Sequence, residues 1–191
     1  MKNFKITAKE DGKEYWISRA MAVAGFIYAI HPKTKEFYFL VGERGSGCPD
    51  HVGKLGCVCG YLEDGTRKQE IIRECWEELG FMVDPGDVSE WCTIDDPRKD
   101  ARENVVTRYI IKASWNEITE SLKDGTINNN TFSRGGEMNE VGNILFISER
   151  EIGNYSWAFN HGEILKHLTK KLKQEKQLWW KLKQAWKILW S

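Results

Sequence analysis

The stretch Gly60-Tyr61-Leu62-Glu63-Asp64-Gly65-Thr66-Arg67-Lys68-Gln69-Glu70-Ile71-Ile72-Arg73-Glu74-Cys75-Trp76-Glu77-Glu78-Leu79-Gly80-Phe81 decides how the chain is read. Ile71, Ile72, Cys75, Trp76 and Leu79 recur at helical spacing, and Gly80 stands where a helix ends, so the pattern predicts a helix over residues 67–79. At about 100° per residue, Glu70, Glu74, Glu77 and Glu78 share roughly a quarter to a third of the circumference, opposite the apolar stripe, with Arg73 at the border. Like charges three or four residues apart cost about 0.2–0.5 kcal/mol per pair, so this face needs something to offset the repulsion. A solvated acidic face is one explanation. The other is a hard divalent cation, Mg²⁺ or Mn²⁺, which favours carboxylate oxygens and brings phosphate as a further ligand.

Outward from this helix the pattern turns to strands. Residues 14–30 and 37–43 are rich in aromatic and branched side chains and are separated by the polar turn His31-Pro32-Lys33-Thr34-Lys35-Glu36, so they read as a hairpin. The Gly-rich loop Arg44-Gly45-Ser46-Gly47-Cys48-Pro49-Asp50 then leads to a short strand near Gly56–Cys59. Beyond the helix, Val105–Ala113 and Asn143–Ile147 read as further strands. Between them the polar stretch from Thr119 to Gly136, with Asn128-Asn129-Asn130 and Gly135-Gly136, reads as a long exposed loop. Strand, helix, strand order with mixed lengths predicts an α/β sandwich of two or three layers around a mixed sheet.

Arg73-Glu74-Cys75-Trp76-Glu77-Glu78-Leu79-Gly80-Phe81 resembles the Arg-Glu-apolar-x-Glu-Glu-x-Gly-apolar signature of the Nudix hydrolases at every fixed position. The resemblance extends over roughly residues 15–165 through Arg44, Gly136-Glu137-Met138-Asn139-Glu140 before a strand, and Trp157-Ala158-Phe159-Asn160-His161 before a helix. It implies a Nudix-like α/β/α sandwich around a mixed β-sheet. It also implies an enzyme that hydrolyses a nucleoside diphosphate linked to another moiety, an ADP-ribose-like sugar or a dinucleotide, with Mg²⁺ or Mn²⁺ as cofactor. Carried over by position, Glu74, Glu77 and Glu78 fall on the metal ligands, and Arg73 falls on the arginine that braces them. Arg44, Gly60 and Glu137 fall at the substrate. A loop carboxylate commonly completes such a site as ligand or general base, and Glu140 and Glu137 are the candidates, with Glu103 behind them.

The first half of the signature departs from the family. Aligned on Arg73 without a gap, the family's first glycine falls on Cys59 and its loop glutamate on Gly65. Keeping Gly60, Glu63 and Gly65 in place deletes one residue and leaves that glutamate absent; Glu63, Asp64 or Glu70 are its possible substitutes. The departure favours a Nudix-like binding or sensing domain without turnover, whereas the intact Arg73, Glu74, Glu77 and Glu78 favour an enzyme. A third reading is decapping of nucleotide-capped RNA.

Cys48, His51, Cys57 and Cys59 offer four zinc ligands, yet paired Cys-x2–4-Cys units are lacking, and buried reduced thiols are the simpler expectation. Five cysteines at irregular spacing do not form a disulfide framework. His161 reads as a hydrogen-bonded packing residue or as a neighbour of the substrate. Tyr15, Trp16 and Arg19 could meet a base or phosphate, although strand aromatics ordinarily join the core.

Composition sets the frame. With 41% hydrophobic residues and only 4 prolines, the chain has enough apolar content for one core and is unlike a disordered sequence. Its longest apolar run, Ala20–Ile30, is too short to cross a bilayer, and no secretory signal precedes it, which reads as a cytoplasmic protein. The balance of 28 basic and 28 acidic residues hides an asymmetry: eight lysines and one acid follow Leu165, leaving 20 basic and 27 acidic groups in residues 1–165. The chain thus divides into a Nudix domain, 1–165, and a basic, Trp-rich amphipathic helix, 166–191. Ile164, Leu165, Leu168, Leu172, Trp179, Leu182, Trp186 and Trp190 form its stripe. Three partners fit that stripe: the domain itself or a second subunit in a homodimer, a membrane surface, or RNA.

Overall fold

The computed structural model describes residues 3–99, 102 and 104–189, with side-chain surroundings as far as Lys183. Glu103 and Trp190 therefore lie outside the described residues, as do the side chains of Trp186 and Lys187. A mixed sheet is built around β3 (Met21–Ile30), whose residues Val23 to Ala29 are all buried, the pattern of a strand covered on both faces. Alternation then sorts its side chains. Val23, Ile27 and Ala29 enter one core with Ile71, Cys75 and Leu79 of α1 (Arg67–Leu79); Ala24, Phe26 and Tyr28 enter a second with Leu165, Leu168 and Leu172 of α3 (His161–Leu189). The result is the expected α/β/α sandwich.

One edge of β3 pairs in parallel with β8 (Val105–Lys112), and β8 pairs antiparallel with β7 (Val88–Ile94). The other edge is shared. Its second half pairs with β4 (Phe37–Arg44) through Ile27–Leu40 to Ile30–Phe37, while its first half pairs with β6 (Val58–Tyr61). Along its other edge β4 pairs with β9 (Val141–Ser148) from Tyr38 to Arg44, and past Leu40 the edge that β3 leaves is taken, at Gly42 and Glu43, by β5 (Leu55–Gly56). Residues 55–61 thus cross from one strand to the other where β3 and β4 part, and this opening becomes the floor of a cleft.

Local sequence explains how α1 reaches that floor. Thr66 caps it by accepting the Gln69 N–H, with Gln69 returning the bond to the Thr66 N–H, and Gly80 ends it at φ 70°. Gly25 lets the helix approach, because a Cβ there would stand 2.8 Å from Ile71 Cδ1.

The structure revises three expectations. Residues 14–30 are two strands rather than one: β2 (Glu14–Ile17) pairs with β1 (Phe4–Thr7) in a separate hairpin, and Tyr15 and Trp16 are exposed on it instead of joining the core. Arg19 follows that break, donating to the carbonyls of Asp95 (2.5 Å) and Asn104 (2.7 Å). The stretch expected as a loop from Thr119 begins inside α2 (Trp115–Asp124), capped by Ser114 and ended by Gly125, with Ile118 buried in the first core. β7 completes the sheet where the sequence showed no clear strand.

The helix α3 is unbroken across residues 165 and 166, and its apolar side is buried through Leu172. Beyond that point Leu178, Trp179, Trp180 and Leu182 are exposed, so packing of this stretch on its own domain is not what the stripe serves. No helix of the described residues is long and apolar enough to cross a membrane.

Candidate active site

An open cleft of about 510 Å³ lies over the parted strands, bounded by Gly60 and Tyr61 of β6, Arg73, Glu74 and Glu77 of α1, Arg44, and the segment Gly135–Glu140. Glu78 faces a smaller adjoining cavity, which it shares with Cys59, Arg44, Glu140 and His161. The fold therefore brings Arg44, Gly60, Arg73, Glu74, Glu77, Glu137 and Glu140 to one cleft, with Glu78 in the cavity beside it.

Arg73 organises the helix face. Its Nε donates to Glu70 (2.9 Å), one terminal nitrogen donates to Glu74 (2.5 Å), and the guanidinium also pairs with Glu77. Three carboxylates on one fork cancel much of the repulsion expected of this face. Glu70 is buried against Arg73 and is absent from the cleft wall, so it neither is a solvated surface residue nor takes the place of the missing loop glutamate. Glu63, by contrast, lines the cleft, with its carboxylate 4.0 Å from Arg73. Asp64 is exposed and lies off the cleft wall.

The deeper carboxylates are unlike ordinary surface acids. Burial pushes the Glu74 carboxyl up to about 7; the Arg73 guanidinium opposes this, and the charges of Glu77, Glu140 and Glu70 add to it. Burial also raises Glu78 well above the usual range, with Glu74 and Glu140 adding to the effect and the Cys59 N–H, which donates to Glu78 at 3.3 Å, working against it. Glu140 is raised by burial too. Three carboxyls that repel one another in a desolvated corner suit a hard cation, since their donors are oxygens and a positive charge would relieve all three. Among the described residues, no group of three His, Cys, Asp or Glu side chains already encloses a metal position. Arg73 accounts for this in part, because it holds oxygens of Glu74 and Glu77 that a metal would need.

Loop chemistry delivers Glu140. The Gly-rich loop is not an anion cradle here but a packing surface: a Cβ on Gly45 would stand 2.0 Å from the Asn139 carbonyl, and one on Gly47 2.2 Å from the Met138 carbonyl. Gly45 N–H donates to the Glu140 carbonyl (2.7 Å), Glu137 N–H donates to the Glu140 carboxylate (3.3 Å), and Asn139 is held at φ 58°. Arg134 clamps the same segment to α1, donating to the carbonyls of Glu77 (3.2 Å) and Asn128 (2.8 Å).

Two arginines stand at the far wall. Arg44 donates through Nε to the Asp50 carbonyl (3.0 Å) and through a terminal nitrogen to its carboxylate (3.0 Å); Arg102 also pairs with Asp50. Both guanidinium carbons lie 5.0 Å from the centre of the Phe159 ring. Arg102, Phe159 and Arg134 were not singled out as site residues from sequence, because their partners are distant along the chain and they sit in loops without periodicity. His161 is buried and hydrogen-bonded and also lines both the cleft and the adjoining cavity: its Nδ1 accepts the Cys57 N–H (2.9 Å), which fixes a neutral ring, and burial pushes its pKa down to about 3. All five cysteines are free.

No protein-family model matches the sequence, and none of the curated proteins matches it at a significant level. Solved structures do. The Nudix domain of Shewanella oneidensis NrtR, solved with ADP ribose, superposes with a TM-score of 0.61 at 15% identity, covering 82% of this chain and 90% of that one. The chain has the Nudix fold. A MutT/nudix family protein from Listeria innocua follows at 0.59 and 15%, covering 83% and 97%. The C. elegans Ap4A hydrolase, solved as a binary complex, gives 0.54 and 14%, covering 80% and 98%. In this setting α1 is the helix that carries the Nudix signature, and its Glu74 and Glu77 face the cleft while Glu78 faces the adjoining cavity.

Proposed function

We propose that this chain is a divalent-metal-dependent Nudix pyrophosphatase acting on a nucleoside diphosphate linked to another moiety, an ADP-ribose-like sugar or a dinucleotide. The observation that carries this reading is the placement of Glu74 and Glu77, both paired with Arg73, on the cleft wall with Glu78 and Glu140 desolvated beside them. Glu74, Glu77 and Glu78 would hold Mg²⁺ or Mn²⁺, which when bound lowers the pKa of water and offsets charge on phosphoryl oxygens. Arg73 keeps the helix carboxylates aimed at the cleft. Glu140, raised by burial, accepts the proton of the attacking water as its oxygen bonds to phosphorus; the anhydride P–O bond breaks, and two phosphate monoesters leave. Arg44 and Arg102, fixed by Asp50, supply positive charge to the diphosphate from the opposite wall. ADP ribose in the NrtR domain and the Ap4A hydrolase among the similar structures support the two substrate classes.

A second reading rests on the missing loop glutamate and on Arg73 occupying Glu74 and Glu77: ligand binding without turnover, as in a regulator. Incubation of ADP-ribose and a dinucleoside polyphosphate with the protein and Mn²⁺, followed by chromatography for AMP, separates the two. The enzyme reading predicts AMP; intact nucleotide together with calorimetric binding supports the regulator.

A further inference from the structure

The apolar stripe of α3 outlasts the domain it packs on. Leu165, Leu168 and Leu172 are buried, Lys173 pairs with Glu149 at 2.5 Å, and past this point the helix continues to Leu189, about 25 Å of overhang at 1.5 Å per residue. Trp179 and Leu182 lie within the same arc of about 100° as the buried leucines, and Leu178 borders it, yet they are 64%, 53% and 60% exposed. Lys176 and Lys183 flank this face on one side and Lys181 on the other, and the Lys183 ammonium lies 5.0 Å from the Trp179 ring centre. Glu175, the one acid after Leu165, lies on the same arc one turn before Trp179, at the domain end of the overhang, where it pairs with Lys171. Residues 173–191 hold five lysines against that single acid.

We propose that the overhanging half of α3 binds an anionic lipid surface, lying in the headgroup plane with Leu178, Trp179 and Leu182 inserted and the flanking lysines on the phosphates. Charge selects this occupant. A second copy docking the same face would bring two lysine-rich segments together, and RNA would use the lysines without needing an apolar face between them. An anionic bilayer uses both, since indole rings favour the interface and lysine stems reach past it to the headgroups.

The test uses the full chain with vesicles of pure phosphatidylcholine or of equimolar phosphatidylcholine and phosphatidylglycerol, in low and high salt. The double variants are Trp179→Gln/Leu182→Gln, which removes the apolar face, and Lys176→Gln/Lys183→Gln, which removes charge; all four positions are surface ones. Binding to the mixed vesicles, weak binding to neutral ones, and a loss of tenfold or more in the first variant and about thirtyfold in the second at low salt are expected. No co-sedimentation of the wild type with the mixed vesicles overturns the proposal. So does a dimer by light scattering that dissociates in the apolar variant without any vesicle binding, or retention on RNA that persists in the apolar variant while vesicle binding is absent.

Discussion

A Cβ atom on Gly60 would stand 1.8 Å from Oε1 of Glu74, so β6 and α1 meet at a point where only hydrogen fits. The glycine is thus part of the carboxylate site: its bare Cα makes the space that Glu74 occupies. The clash falls on the far end of a side chain that can rotate away, so Gly60→Ala should fold and displace the Glu74 carboxylate. A loss of about 10–100-fold in Mn²⁺ affinity by calorimetry, with an unchanged far-ultraviolet spectrum, is the expected outcome.

Burial of Glu74 has a pH signature. Its folded pKa of about 7 lies above the 4.5 of the unfolded chain, so the folded state binds more protons between those values. Metal-free protein should therefore lose stability as pH rises from about 4.5 to about 7, with Glu78 and Glu140 contributing in the same direction and His161, whose pKa of about 3 lies below its ordinary 6.5, offsetting one of the three as pH rises toward 6.5. Saturating Mg²⁺ should flatten or invert that slope, since the ion binds the deprotonated carboxylates. Urea titrations near pH 5 and pH 7, in chelator and in Mg²⁺, read both slopes; a metal-free midpoint that climbs with pH contradicts the burial argument.

Removing Arg73 should cost stability as well as activity. Arg73→Ala leaves Glu70 buried without its partner and lets Glu74 and Glu77 repel, for a loss of about 1–3 kcal/mol. Glu70→Gln keeps a hydrogen-bond acceptor for Arg73 and should cost less. Comparable unfolding midpoints for the two variants would show that Glu70 does not depend on this arginine.

Arg134 ties the loop that carries Glu137 and Glu140 to the end of α1. Arg134→Ala removes its bonds to the Glu77 and Asn128 carbonyls, and a cation at a helix C-terminus with it, a loss of about 1–2 kcal/mol. Hydrogen exchange should rise in residues 128–140 and leave β3 protected. Uniform exchange across the molecule would assign Arg134 a global role instead.

How much of this was readable beforehand depended on periodicity. α1 was legible because five apolar positions and a terminal glycine repeat at helical spacing, and the carboxylates on its far side came with it. α2 was not, since Trp115, Ile118 and Leu122 give only a short stripe among polar neighbours. β7 was missed because the edge strand Val88-Ser89-Glu90-Trp91-Cys92-Thr93-Ile94 is irregular, with a shift in register between Glu90 and Cys92. At the site, residue identity nominated Glu74 and Glu77, and both line the cleft, but the inward turn of Glu70 follows from which oxygens Arg73 reaches, a contact no spacing encodes. Arg102 and Phe159 lie 57 positions apart and meet only when the loops close over Asp50. The stripe of α3 was visible throughout; that its burial stops at Leu172 was not, because the apolar spacing continues past that point.

The most direct measurement is Mn²⁺-dependent hydrolysis of ADP-ribose and a dinucleoside polyphosphate by the wild type and by Glu77→Gln. Glu77 lines the cleft and is not part of either core, so the amide should preserve the fold. The account predicts turnover of at least one of the two substrates by the wild type and a fall of at least about a hundredfold in kcat for the variant. Equal rates in the two proteins would contradict it.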